Sequence, residues 1–189
     1  MSLNVVIMGS GAIGMAMAKH IVDQYDDATC LITYHQNKPS LAHPRIVIKQ
    51  LNATEEQAVH LFTDEIKELY GQVHWIINTI GVLHDASTHI QPEKRIDDFD
   101  PKTFHSITET NVVPTLLAAK HWNKLLYRPA TGKSSRPSIF CTISAKVGSI
   151  EDNRLGGWYS YRASKASLNM MLKNFSIEFK QKNRNLCVL

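Results

Sequence analysis

Short runs of β-branched and other apolar residues alternate along the chain with longer stretches of helical period, the pattern that crossover units over a parallel sheet produce. The first run, residues 4–8, is apolar without interruption from Val5 to Met8, as befits a strand buried on both faces. A helix is predicted over 13–25, then strands over 29–33 and 45–49. Between residues 54 and 70, Val59, Phe62, Ile66 and Leu69 recur at spacings of three and four, which predicts an amphipathic helix with that face inward. Glu55 and Glu56 at its start complement the helix dipole. Strands follow over 73–78 and 139–143, separated by a long aperiodic connection, 83–100, of the kind that is functional or mobile. Pro101 suits the first turn of a helix running to Tyr127, and 128–137 reads as a polar surface loop. A last helix over 158–182 leads to a sixth strand beginning at 185.

No internal repeat, low-complexity tract or linker divides the chain, so residues 1–189 are expected to form one α/β domain, a doubly wound parallel sheet with helices on both faces. Composition agrees: 43% of residues are hydrophobic and 20% charged, ordinary for a globular domain. Cys30, Cys141 and Cys187 are odd in number and lack metal-ligand spacing, which argues against a disulfide framework and against zinc. The net charge of +4 is spread along the chain with no basic stripe, favouring an anionic small molecule over nucleic acid. Neither a secretory leader nor an apolar stretch of membrane-spanning length is evident, so a cytoplasmic protein with no membrane partner is expected. Met8, Met15, Met17, Met170 and Met171 read as core filler, His84 and His89 as solvent-exposed loop residues, and Lys94-Arg95 as a solvated pair.

Gly9-Ser10-Gly11-Ala12-Ile13-Gly14 follows the first strand and opens the first helix. In that place the first glycine permits the tight turn, the second lets backbone approach a pyrophosphate, and the third lets helix pack on strand. The helix N-terminus offers its unpaired N–H groups to the anion. A Rossmann-like dinucleotide site is therefore expected. An NAD site commonly carries an acid about 20 residues beyond the glycines, to accept from the ribose 2′-hydroxyl. Here Thr33-Tyr34-His35-Gln36-Asn37-Lys38 has none, while His35, Asn37 and Lys38 can donate to a 2′-phosphate. NADP(H) is the expected cofactor, with NAD(H) the alternative.

Tyr161 and Lys165 stand four residues apart, on one helix face. A free phenol titrates near 10, and a neighbouring ammonium is expected to lower that value toward the working range of an acid/base. Ser144, at the end of the fifth strand, lies at the carboxyl edge where such sheets bind ligands, and Asn78-Thr79-Ile80-Gly81 ends the fourth strand in the same way. Asn111 interrupts an apolar helix, which calls for a specific partner, either a functional one or a local core contact.

In this order the glycine turn, Asn78 to Gly81, Asn111, Ser144, and Tyr161 with Lys165 resemble the classical short-chain dehydrogenase/reductase family, over essentially the whole chain. Residues 144–149 and 153–160 are similar, more narrowly, to its C-factor-like branch. The resemblance implies Tyr161 as acid/base, Lys165 on the nicotinamide ribose, Ser144 on the substrate carbonyl and Asn111 supporting a relay water. It places Asn78 and Gly81 beside the cofactor and Asn52-Ala53 near adenine. It implies hydride transfer between the nicotinamide and a carbonyl or alcohol, in a homodimer or homotetramer. Three features depart from the pattern: the glycine spacing is one residue shorter than usual, Asn52 stands where Asp is common, and Ser144 lies 17 positions before Tyr161, leaving Ala145 and Ser149 as other alignments. Members of the family continue past the sixth strand into a substrate-covering segment, so the chain is expected to lack those parts, to leave its site open to water, and to be inactive as it stands. The competing reading is a non-catalytic dinucleotide-binding regulatory or signalling module on the same fold.

Overall fold

The computed structural model describes residues 2–85, 90–127 and 136–189. His89 and most of the 128–137 segment lie outside them. The strands are β1 (Leu3–Met8), β2 (Ala28–Tyr34), β3 (Ile46–Gln50), β4 (Trp75–Asn78), β5 (Ser138–Thr142) and β6 (Leu186–Val188). They form one parallel sheet in the order β3-β2-β1-β4-β5-β6. β1 is at its middle, and five of its six residues are buried, which is why its sequence shows no alternation.

The helices among the described residues are α1 (Ala12–Gln24), α2 (Glu56–Tyr70), α3 (Pro101–Trp122) and α4 (Tyr159–Lys182). α2, α3 and α4 cover one face, where Val59, Phe62, Leu117, Trp122 and Phe179 close over Val6, Leu31, Ile76 and Phe140. α1 covers the other, burying Ala18, Ile21 and Val22 against Val5, Ile7, Cys30 and Ile32. Beyond it Ile139 and Cys141 of β5 are half-buried and Cys187 of β6 is exposed.

Several expectations shift locally. α3 ends at Trp122, short of Tyr127, because Asn123 to Leu125 tighten into a 3₁₀ turn. The Asn123 amide donates to the carbonyls of Ala119 and Lys120 at 2.8 and 3.0 Å, satisfying the helix end, and Leu126 leaves to bridge Val73. β4 accordingly begins at Trp75. On α2, Val59, Phe62 and Ile66 are buried but Leu69 is 43% exposed, so the inward stripe is a turn shorter than its spacing predicts. Met8 is buried and Met15 and Met17 pack against the core, whereas Met170 is 60% exposed on the outer face of α4 and fills no core gap. The connection before α3 is less irregular than expected, with an Asp85–Ile90 bridge and a 3₁₀ turn at Ile96–Asp98. The backbone N–H groups of Lys94 and Arg95 both donate to Asp98 at 3.0 Å.

Candidate active site

After β1 the chain turns one way to β2 and β3; later crossovers carry it the other way to β4, β5 and β6. The strand order therefore reverses between β1 and β4, and a crevice opens at their carboxyl ends. A cleft of about 370 Å³ lies there. Its walls are Gly9, Ser10 and Gly11 of the first turn, Thr33, Tyr34 and His35 at the end of β2, Leu51 to Thr54 after β3, Thr79, Ile80 and Gly81 after β4, and Thr110 with Pro114 of α3.

The glycines have separate reasons. Gly9 sits at φ +98°, where a side chain is strained. A Cβ on Gly14 would lie 2.1 Å from the Gly9 carbonyl oxygen, so the turn and α1 close only around a bare Cα. A Cβ on Gly11 would meet nothing within 4 Å, which leaves room on the cleft side for a ligand to approach backbone. The Thr79 hydroxyl donates to the carbonyls of Met8 and Gly9 at 2.9 and 3.2 Å and ties this turn to the β4 end. Thr79 and the pair Thr110 and Pro114 were not anticipated as individual site residues. A proline one turn after a threonine inside an apolar helix was the available signal, since Pro114 has no N–H and leaves the Thr110 carbonyl without its helical donor at the cleft wall.

Of the residues expected to hold a dinucleotide, Gly9, Ser10, Gly11, His35, Asn52, Ala53 and Gly81 line the cleft. Gly14 and Asn78 are buried and shape it from behind: the Asn78 amide donates to the Thr115 hydroxyl at 2.8 Å and accepts the Ile80 N–H at 2.9 Å. Ala12 and Ile13 stand exposed in the first turn of α1, and Asn37 and Lys38 are exposed beyond His35, outside the lining. Asn52 also caps the approach to α2, accepting from the Thr54 N–H and hydroxyl at 3.3 and 2.9 Å. No residue of the lining is Asp or Glu.

Gly81 joins this cleft to the helix bearing Tyr161 and Lys165. A Cβ on Gly81 would lie 3.2 Å from Lys165 Nζ and 3.5 Å from Asn111 Oδ1. Lys165 is 3% exposed, and its ammonium donates to the Ile143 carbonyl at 3.1 Å, at the end of β5. It lies 5.7 Å from the centre of the Tyr161 ring, on the ring face rather than as a partner of the hydroxyl. Burial raises the Tyr161 pKa above the ordinary phenol value, and burial lowers that of Lys165. The expected depression of the tyrosine by its lysine is thus not the direction found: desolvation of the phenolate dominates.

Asn111 is fully buried and its amide is engaged on both sides. Oδ1 accepts the Val82 N–H at 2.7 Å, while Nδ2 donates to the Val82 carbonyl at 3.0 Å and to the Ser164 hydroxyl at 2.9 Å. One lone pair of Oδ1 is left for another donor. Ser144 reaches the same sheet edge, but its hydroxyl donates to Asn169 Oδ1 at 2.6 Å. Gly148 packs the segment after Ser144 onto α4, where a Cβ would stand 2.8 Å from Lys165 Cβ. Among the described residues no cluster of three or more His, Cys, Asp or Glu is placed to hold a metal ion. No described helix is long and apolar enough to cross a membrane.

A sequence model of short chain dehydrogenases matches residues 3–188. The chain belongs to the short-chain dehydrogenase family. Across 178 residues it is 25% identical to a 1-hydroxy-2-glutathionyl-2-methyl-3-butene dehydrogenase of Rhodococcus sp. (strain AD45), spanning 93% of this chain and 70% of that one. Across 139 residues it is 27% identical to an uncharacterized oxidoreductase of Schizosaccharomyces pombe, spanning 74% of this chain and 50% of that one. The fold superposes on carbonyl reductase Sniffer of D. melanogaster with a TM-score of 0.84 at 22% identity, covering 97% of this chain and 77% of that one. It superposes on an NADPH-bound carbonyl reductase from chicken fatty liver with a TM-score of 0.81 at 22% identity, covering 99% and 74%. Membership places the chain in an enzyme class of NAD(P)-dependent oxidoreductases, as the ordered motifs imply.

Proposed function

We propose that this short-chain dehydrogenase reduces a small carbonyl compound, or oxidises the corresponding alcohol, with Tyr161 as the acid/base. The observation that carries the reading is Gly81, which walls the nucleotide cleft and whose missing side chain leaves the space directly over Lys165 Nζ. A bound nicotinamide dinucleotide supplies or takes the hydride. The glycine turn and the N-terminus of α1 would hold its phosphates, Asn52 and Ala53 would border the adenine side, and Lys165 would donate to the nicotinamide ribose. Burial keeps the Tyr161 phenol protonated at neutral pH, the form that gives a proton to a carbonyl oxygen. Asn111 supports a relay water through the remaining lone pair of Oδ1. Ser144 has one hydroxyl proton, so to position a carbonyl it must turn from Asn169.

The cleft favours NADP(H). No carboxylate is present along its lining to take a ribose 2′-hydroxyl or repel a 2′-phosphate, and His35 stands at the end of β2. The segments 144–149 and 153–160 support a place in the C-factor-like branch. The same membership supports a single dinucleotide-binding domain assembled as a homodimer or homotetramer in the cytoplasm. NADPH oxidation followed by absorbance with a panel of aldehydes, ketones and quinones tests the reading. Turnover that Tyr161→Phe lowers by about 10²-fold or more, with dinucleotide affinity kept, is expected. Tight NADPH binding with no turnover of any carbonyl, in a chain that carries the family's substrate-covering segment, assigns the non-catalytic module instead.

A further inference from the structure

Glu93, on the connection between β4 and α3, is 3% exposed. Burying a carboxylate is costly unless hydrogen bonds replace its water, so a carboxylate kept here has a structural or functional reason. Its oxygens accept the Ser160 N–H at 3.2 and 3.3 Å and also the Ser160 hydroxyl. Ser160 is the second residue of α4. Glu93 therefore does from a distant loop what a helix's own capping residue ordinarily does, taking one of the orphan N–H groups at the positive end of the dipole. α4 has no such cap of its own: Trp158 occupies the position and makes no side-chain cap bond.

The backbone entering α4 adds a second reason. Gly156, Gly157 and Trp158 all have positive φ, at 64°, 63° and 52°. For tryptophan this conformation costs on the order of 1 to 3 kcal/mol and persists only where its surroundings enforce it. The enforcing contact is again Glu93, whose main-chain carbonyl accepts the Trp158 N–H at 2.6 Å. A Cβ on Gly157 would stand 3.3 Å from that same carbonyl oxygen, so the two segments run in close contact. The Trp158 ring in turn meets the Tyr161 ring edge to face, with centroids 6.4 Å apart, and Lys165 lies 5.7 Å from the centre of the Tyr161 ring.

We infer that Glu93 is a positioning residue for the reaction: through Ser160 and Trp158 it fixes the start of α4 and hence the orientation of the Tyr161 phenol. The inference rests on the function proposed above for Tyr161. It also makes the connection before α3 and the first turn of α4 one mechanical unit. Glu93 is not part of the cleft lining, so its loss reaches the chemistry without reaching the dinucleotide.

The test compares Glu93→Ala and Glu93→Gln with the wild-type chain by steady-state kinetics, NADPH affinity, thermal unfolding and amide hydrogen exchange. Glutamine keeps an acceptor oxygen for the Ser160 N–H and an amide donor for its hydroxyl, so the anchor survives the loss of charge. In Glu93→Ala, kcat falls roughly 30-fold, since a displacement near 1 Å at a reacting group costs about that much or more. The NADPH Kd stays within about twofold, and exchange at 158–162 quickens about tenfold while amides of β1 are unchanged. Glu93→Gln recovers kcat to within about threefold of wild type. Wild-type kcat in Glu93→Ala, or a loss that Glu93→Gln does not recover, overturns the inference. If the wild-type chain binds NADPH but turns over no carbonyl, that result bears on the function proposed above and not on Glu93. Exchange at 158–162 then still decides whether Glu93 anchors the helix: no difference between wild type and Glu93→Ala overturns the anchor itself.

Discussion

At the scale of the residue, the tightest constraint is at Gly14. A methyl group there would penetrate the Gly9 carbonyl, and both partners are backbone, so neither can rotate away. Gly14→Ala is expected to destabilise the chain by about 3 kcal/mol, the range of overpacked cores, and to abolish NADPH binding; urea unfolding and a fluorescence titration measure the two. Lys165 shows the opposite relation between stability and use. Burial depresses its pKa in the folded chain, so the unfolded chain holds the proton more firmly. The cost to folding is fully present below the folded-state value and disappears as pH rises through it toward the ordinary value of 10.5. Lys165→Met should therefore stabilise the fold at neutral pH by on the order of 1 kcal/mol, with a gain that shrinks in alkaline solution, while turnover is lost. Thermal unfolding at a series of pH values reads both the size and the sign. A gain that grew with pH would contradict the burial of the ammonium.

At the scale of the element, Asn111 joins the segment after β4 to α4 through three hydrogen bonds. Asn111→Leu strands the N–H and C=O of Val82 and takes one of two partners from the Ser164 hydroxyl, which still donates to the Tyr161 carbonyl; it should cost about 2 to 4 kcal/mol by chemical denaturation, more than an exposed asparagine would. These elements differ in how far the sequence discloses them. β1 and β2 were legible because burial on both faces leaves short runs dominated by apolar and β-branched residues, and the pairing of Tyr161 with Lys165 was legible because four residues is about one helical turn. The end of α3 was not, since Asn123 ends the helix with its side chain while continuing a helix-compatible sequence. Ser144 could be placed at a strand end but not given its partner, because Asn169 is 25 residues away and only the packing of Gly148 on α4 brings the two together. The direction of the Tyr161 shift was hidden for a related reason: helical spacing puts an ammonium near a phenol without saying which part of the ring it meets.

At the scale of the whole molecule, the two faces of the sheet are covered unequally, and the three cysteines report it. Cys30 lies beneath α1, where burial pushes its thiol up to about 12; Cys141 is half-buried and also raised; Cys187 of β6 is exposed. Because the thiolate is the reacting form, a maleimide at neutral pH should label Cys187 first, Cys141 more slowly and Cys30 only on unfolding, an order that mass spectrometry of peptides resolves. Labelling of Cys30 at the rate of Cys187 would contradict the coverage by α1. The strand order carries a kinetic consequence as well. β1 pairs with β2 across a short helical crossover, but it meets β4 only after the chain has travelled from Val5 to Trp75 and back. Contacts so distant in sequence form late, after loop closure has been overcome. The crevice exists only once that central pair has zipped. During refolding from urea, helical ellipticity should return before the chain regains any hold on NADPH, and the helices will be present in molecules that cannot yet bind.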